Sequence, residues 1–209
     1  AESSFYSFES MIRAISGNSG NEKGSWSAKN WARGKDVLII GSGPSTKFYK
    51  DEIIGYINRK KPVVLCLNIN EVFPEDLVTA YIACHESRIL IESDRYSTLN
   101  KPIILPFGNL PNELKNILSD IDIFDYGLRI KEGEFEILDN GCVLESALAF
   151  NYAISVASAS GAKQILLTGI DGYEKSDSRQ LEMIDSLERY REQKKSIPVF
   201  AITPTTYPI

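Results

Sequence analysis

The sequence predicts an α/β fold: a doubly wound, mostly parallel sheet with helices on both faces, in three layers. Short, near-continuous apolar runs such as DVLIIG, PVVLCLN and QILLTG end at glycine or asparagine, the pattern of strands covered on both sides. These runs alternate with stretches of helical apolar periodicity. The chain has 209 residues, 43% of them apolar and 24% charged, enough to bury a core of its own.

Residues 4 to 15, SFYSFESMIRAI, place Phe5, Phe8, Ile12 and Ile15 at helical spacing, which predicts a short amphipathic helix. Residues 16 to 34 are rich in Gly, Ser, Asn and charge and read as a linker arm with Trp26 and Trp31 as anchors. The expected division is therefore 1–34, an N-terminal helix and linker arm, and 35–209, the α/β domain. Within the latter, strands are expected at 36 to 41, 62 to 68, within 77 to 85, at 102 to 108, 164 to 169 and 197 to 203. Helices are expected at 48 to 57, 110 to 118, 142 to 160 and 178 to 194, with irregular or edge strands over 121 to 137 around a Glu132–Gly133 turn.

Charge and composition exclude several functions. The net charge is 23 − 28 = −5, which argues against a surface built to grip nucleic acid or an anionic membrane. The most apolar segment, Cys142 to Gly161, is interrupted by Glu145 and Asn151 and reads as a buried helix rather than a membrane span. Cys66, Cys84 and Cys142 are an odd set inside apolar segments with no Cys-x-x-Cys pattern, consistent with reduced thiols and a cytoplasmic location. The chain begins at Ala1 without a signal-peptide pattern, and is expected to be a piece of a longer protein.

In a doubly wound sheet, ligands bind at the carboxyl ends of the strands, at a topological switch point, so the loops after the strands carry the candidates. Gly41-Ser42-Gly43-Pro44-Ser45-Thr46 combines two glycines with a helix start, suited to a phosphate. It matches neither the dinucleotide fingerprint nor the Walker pattern, and the alternative is a tight turn capped by Ser45 or Thr46. Asn68 stands where such folds read a ribose or base; the alternative is an Asn closing a turn. His85, the single histidine, is a candidate general base or else a structural or substrate-contacting side chain, and no metal site is expected. Asn140 precedes the predicted 142 to 160 helix and is placed to present amides to a ligand or to cap that helix. Gly169 and Asp171 form another glycine-rich strand end, with Arg179 beyond them: Asp171 would orient a hydroxyl or act as base, or cap a turn, and Arg179 would take a phosphate or carboxylate.

At DVLIIGSGPS and Asn68 the sequence resembles Rossmann-like families with a Gly-x-Gly-Pro-Ser first loop: the 6-hydroxymethylpterin diphosphokinase-like proteins and the bacterial sialyltransferases that use cytidine-monophosphate-sialic acid. GCVLESALAFNYAISVASASGAKQILLTGIDGY, residues 141 to 173, is similar to both families' helix-strand-Gly-Ile-Asp segment. This likeness implies nucleotide contact at Ser42, Gly43 and Asn68. The sialyltransferases carry a general-base histidine in a late loop, and residues 174 to 209 contain none.

A narrower likeness spans nearly the whole chain. SDSRQLEMIDSLERYREQKKSIPVFAITPTTYPI, with DVLIIGSGPS and the Tyr81 to Arg88 segment, resembles the C-terminal domain after the catalytic barrel in 4-hydroxy-2-oxovalerate-type aldolases of the HMG-CoA-lyase-like family. That resemblance implies a carbon–carbon lyase as parent, with an N-terminal barrel as partner. The metal-dependent barrel needs eight strand-helix units, which these residues lack, so the aldolase site is expected outside them. The leading expectation is thus an accessory domain binding a nucleotide, nucleotide-sugar or other small phosphorylated ligand, with no cofactor required. The alternatives are a transferase acting on a nucleotide-activated or phosphorylated donor, with His85 or Asp171 as base, and a structural or homo-oligomerising module that uses the Trp26 and Trp31 arm.

Overall fold

The computed structural model describes residues 18–209; the helix expected at 4 to 15 lies outside the described residues. Seven strands form one parallel sheet: β2 (Asp36–Ile40), β3 (Val63–Leu67), β4 (Ala80–Ile82), β5 (Ile103–Leu105), β6 (Ile123–Asp125), β10 (Gln164–Thr168) and β11 (Val199–Ala201). Their spatial order is β11-β10-β2-β3-β4-β5-β6, and every neighbouring pair is parallel. The chain starts at β2, steps outward to β6, then returns to place β10 on the other side of β2. The switch point therefore lies between β2 and β10.

Both faces of the sheet are covered because the central strands are apolar at consecutive positions, with their polar residues, such as Asp36, Gln164 and Thr168, at the strand ends. Val37 and Ile39 of β2 and Val63 and Leu65 of β3 join one core, while Leu38, Ile40, Val64 and Cys66 join the other. The second core is closed by α2 (Lys50–Lys60) through Ile53 and Ile57, α3 (Glu86–Tyr96) through Ile89 and Tyr96, and α4 (Asn112–Ile117) through Leu114. The first is closed by α5 (Ala149–Ala159) and α6 (Ser178–Arg191). A short helix, α1 (Pro44–Phe48), follows β2 directly. The three-layer, doubly wound α/β fold expected from the sequence is the fold observed.

The strands expected over 121 to 137 are present as β6, β7 (Gly127–Lys131) and β8 (Glu136–Ile137), but the sequence does not predict that the last two join β1 (Asn18–Ser19) and β9 (Gly141–Leu144) in a second sheet on the α5 side, of order β1-β7-β9-β8. It corrects the helix expected from 142 to 160. Residues 141 to 144 are instead a fully buried strand, parallel to β7 and antiparallel to β8, and the helix begins only at Ala149. A segment buried on all sides carries no periodicity to separate strand from helix, and Gly141 lies so close to Glu22 that a Cβ would fall 1.8 Å from its carbonyl oxygen. The helix at 86 to 96 has no clear signature in the sequence, since its exposed Leu90 and Ile91 blur its apolar face.

Residues 18 to 34 pack onto the body. Trp26 stacks on Phe124 at 4.8 Å between ring centroids and meets Trp31 and Tyr126 edge-on. Ala28 and Ala32 are fully buried. The main chain of this segment donates from Gly24, Trp26 and Ala28 to the carbonyls of Asn140, Asp125 and Asp139. The two tryptophans thus serve this chain's own core.

Candidate functional site

The carboxyl ends of the strands bring together the loops after β2, β3, β4 and β10. At the switch point the two glycine-rich loops close on each other. Gly41 N–H donates to Thr168 O at 2.8 Å and Gly43 N–H to Gly169 O at 2.9 Å. A Cβ on Gly41 would lie 2.4 Å from Gly169 O, and one on Gly43 would lie 2.7 Å from both Gly169 O and the Asp171 carboxyl carbon. Gly169 sits at φ +67° with Thr46 Oγ1 only 1.7 Å from where its Cβ would be. The glycines at 41, 43 and 169 let one loop approach the other, the close approach that their missing Cβ permits.

Asp171 fills the place at the start of α1 where the sequence put a phosphate. Its Oδ2 accepts from Ser45 N–H at 2.8 Å, and its Oδ1 accepts from the Ser45 hydroxyl. Ser45 Oγ and Thr203 Oγ1 are 3.0 Å apart, and Thr203 Oγ1 in turn accepts from Gly169 N–H at 3.2 Å. A carboxylate is well placed at a helix start, and it leaves an incoming phosphate facing a like charge. The Asp171 carbonyl is used as well, accepting from Thr206 N–H.

The other candidates divide. Ser42 is exposed on the rim and Asn68 is half-buried. Asn68 adopts φ +56° and donates its N–H to Ile82 O, so the turn it closes also sets its side chain at the sheet edge. Asn70, two residues further on in the same loop, is buried and donates to Gly41 O at 3.1 Å, tying the β3 loop to the β2 loop. His85 is exposed just before α3, its Nδ1 2.8 Å from Ser87 Oγ. Arg179 is exposed; it grips Asp177 from Nε and Nη2 and lies 4.0 Å over the Tyr173 ring. Asn140 lies near the far end of the sheet: its Nδ2 donates to Gly24 O, and its carbonyl accepts from Gly24 and Gly127. It precedes a strand, not a helix, and is not part of the crevice.

What sequence reasoning missed is the first turn of α5. Cys84, at the end of β4, donates its thiol to Ala147 O at 3.3 Å. This contact ties the loop ahead of α5, which covers one face of the sheet, to the loop ahead of α3, which covers the other. Both helices have 11 residues, and neither has a side-chain cap. The first turn of α3 carries Glu86, whereas that of α5 carries no acidic residue. Burial pushes the Cys84 thiol well up, so the floor under this corner is neutral. Asn151, in the first turn of α5, is buried with its Oδ1 unpartnered; its one signal in the sequence is an amide in the most apolar segment of the chain.

Among the described residues, no group of three or more His, Cys, Asp or Glu is placed to hold a metal ion, and no helix is long and apolar enough to cross a membrane. A cavity of about 270 Å³ lies elsewhere, by the start of β11, between Leu187, Tyr190, Pro198 and Ile209. No protein-family model matches the chain, and no curated protein matches it.

Proposed function

We propose that this chain binds a small phosphorylated ligand, of the nucleotide or nucleotide-sugar class, at the carboxyl edge of its sheet, with the phosphate on the first turn of α5. One observation carries the reading: the α3 and α5 starts both lack a side-chain cap, and the loops leading into them meet at the Cys84–Ala147 contact. The opening N–H groups of a helix have no partner within it, and the dipole favours an anion there. With Asp171 occupying the start of α1, α5 is the better seat, and Asn68, at the end of the strand beside β4, offers an amide to the rest of the ligand. Following the resemblance, such a domain would act as the accessory C-terminal part of an aldolase-type lyase, the carbon–carbon chemistry belonging to a preceding barrel.

The test is a thermal-shift and calorimetric titration with inorganic phosphate, nucleoside monophosphates and nucleotide-sugars. A ligand at 100 times its Kd adds about 2.7 kcal/mol, a rise of roughly 5 to 10 °C for a chain of this size. Ala149→Pro localises the site, because proline is tolerated at the first helical position but removes its N–H, and Leu148 before it is already extended. Binding that is lost in Ala149→Pro while the fold persists supports the reading; no shift with any of these ligands at millimolar concentration refutes it.

A second reading, a transferase, draws on the His85–Ser87 contact at the same edge. His85 would take a proton from an acceptor hydroxyl, whereas Asp171, with both oxygens engaged by Ser45, is not free to. Turnover of a donor that survives His85→Ala would remove this reading.

A further inference from the structure

Asn151 is the third residue of α5 and is only 3% exposed, yet its carboxamide oxygen has no hydrogen-bond partner. Its main-chain carbonyl is satisfied, accepting from Ser155 Oγ at 2.8 Å, so the deficit belongs to the side chain alone. An unpaired buried acceptor costs stability, and folded proteins keep few of them. Side chains on a helix tilt toward its N-terminus, so this amide leans over the turn that offers the free N–H groups.

We infer that Asn151 is a ligand-reading residue whose Oδ1 accepts a hydrogen bond from a hydroxyl of a phosphorylated sugar, the ligand's phosphate lying on the α5 N–H groups. The inference rests on the phosphate seat proposed above and narrows its ligand class. A carbonyl oxygen gains nothing from a phosphate dianion; it needs a donor, and a sugar carries hydroxyls within a few bonds of its phosphate. The uncharged amide also adds no like charge beside the anion, as a carboxylate would. The 145 to 148 segment leads into the first turn of α5 and is tethered by Cys84 to Ala147, by Ser146 Oγ to Glu182 at 2.6 Å, and by Glu145 to Arg189 at 3.5 Å. The proposed contact requires this segment to shift and admit the sugar.

The experiment compares wild type, Asn151→Leu and Asn151→Ala by calorimetry against inorganic phosphate, ribose 5-phosphate and nucleoside 5′-monophosphates, with thermal unfolding of each unliganded chain. Replacing an unpaired buried amide with an apolar group of similar shape relieves its desolvation, so Asn151→Leu is expected to unfold about 2 to 4 °C higher. The same substitution is expected to weaken sugar-phosphate binding about tenfold or more, and to leave inorganic phosphate within about twofold. Asn151→Ala shows the same loss of sugar-phosphate affinity whatever the packing of leucine. A nucleoside monophosphate that binds far tighter than ribose 5-phosphate identifies a nucleotide as the source; equal affinities identify a free sugar phosphate. Sugar-phosphate affinity unchanged in both variants, or an unfolding midpoint that falls in Asn151→Leu, overturns the role of Asn151 while leaving the phosphate seat in place. Wild type that binds none of the probes, inorganic phosphate included, overturns the seat itself and this inference with it.

Discussion

The closure of the two glycine-rich loops at the switch point sets a quantitative test in Gly169→Ala. Gly169 sits at φ +67°, and a Cβ in left-handed backbone costs about 1 to 2 kcal/mol. The methyl would also lie 1.7 Å from Thr46 Oγ1 and 2.6 Å from Gly41 O. Thr46 is buried, with its hydroxyl donating to Gly41 O at 2.9 Å, so it has to rotate away, losing a hydrogen bond worth about 1 kcal/mol. The overpacking against a main-chain carbonyl adds about 1 to 3 kcal/mol more. The expected loss is therefore about 4 kcal/mol, or roughly 8 to 16 °C in the unfolding midpoint of a chain this long. Gly34→Ala is the internal control: its φ is +73°, but nothing lies within 4 Å of the new methyl, so only the backbone strain of about 1 to 2 kcal/mol remains. Urea unfolding at 25 °C, followed by circular dichroism, gives both values. Losses that agree to within about 0.5 kcal/mol would refute the close approach of the 41 to 46 and 169 to 171 loops, because only that approach distinguishes the two positions.

Two further outcomes follow from the titratable groups. The Arg179 guanidinium and main-chain N–H hold the Asp177 carboxyl at about 2, and the Lys195 ammonium holds Asp139 below the usual range. Carboxyls depressed in the folded chain add stability that is complete above about pH 4 and is lost as pH falls toward 2. Unfolding midpoints measured from pH 7 to 2 are thus expected to be level, then fall, and Asp177→Asn is expected to shallow the fall; an unchanged profile counts against the Asp177–Arg179 contact. Burial pushes the Cys66 thiol up to about 12 and raises those of Cys84 and Cys142. None of the three is expected to react with a disulfide reagent at pH 8 in the folded chain, whereas all three should react in denaturant. Rapid native labelling of Cys84 would show that the α3–α5 corner is open.

The main sheet was legible because its strands are apolar at consecutive positions and their ends carry turn residues. Asp36–Ile40, Val63–Leu67 and Gln164–Thr168 all fall where the runs place them, and the glycine-rich loops mark the strand ends. The partners of those loops were not legible. Asp171 reaches Ser45 across 126 residues, a separation that no local pattern encodes, and Arg179 finds Asp177 before any ligand. The 141 to 148 segment is ambiguous for a different reason: Cys142, Val143 and Leu144 lie between two strands, β7 and β8, and are buried on every side, so their run carries no period that separates strand from helix.

By itself, the sequence determined the three-layer α/β architecture and which loops gather at the carboxyl edge of its sheet, because hydrophobic periodicity and turn chemistry act over a few residues. Only the tertiary structure decided which helix start remains open. The start of α1 is met by Asp171, whereas that of α5, its leading loop tied to Cys84, has no acidic residue in its first turn and keeps an unpaired carboxamide oxygen in Asn151. Hydrogen-bond satisfaction at a helix start depends on which distant side chain arrives there, and that is settled only when the sheet has brought the loops together.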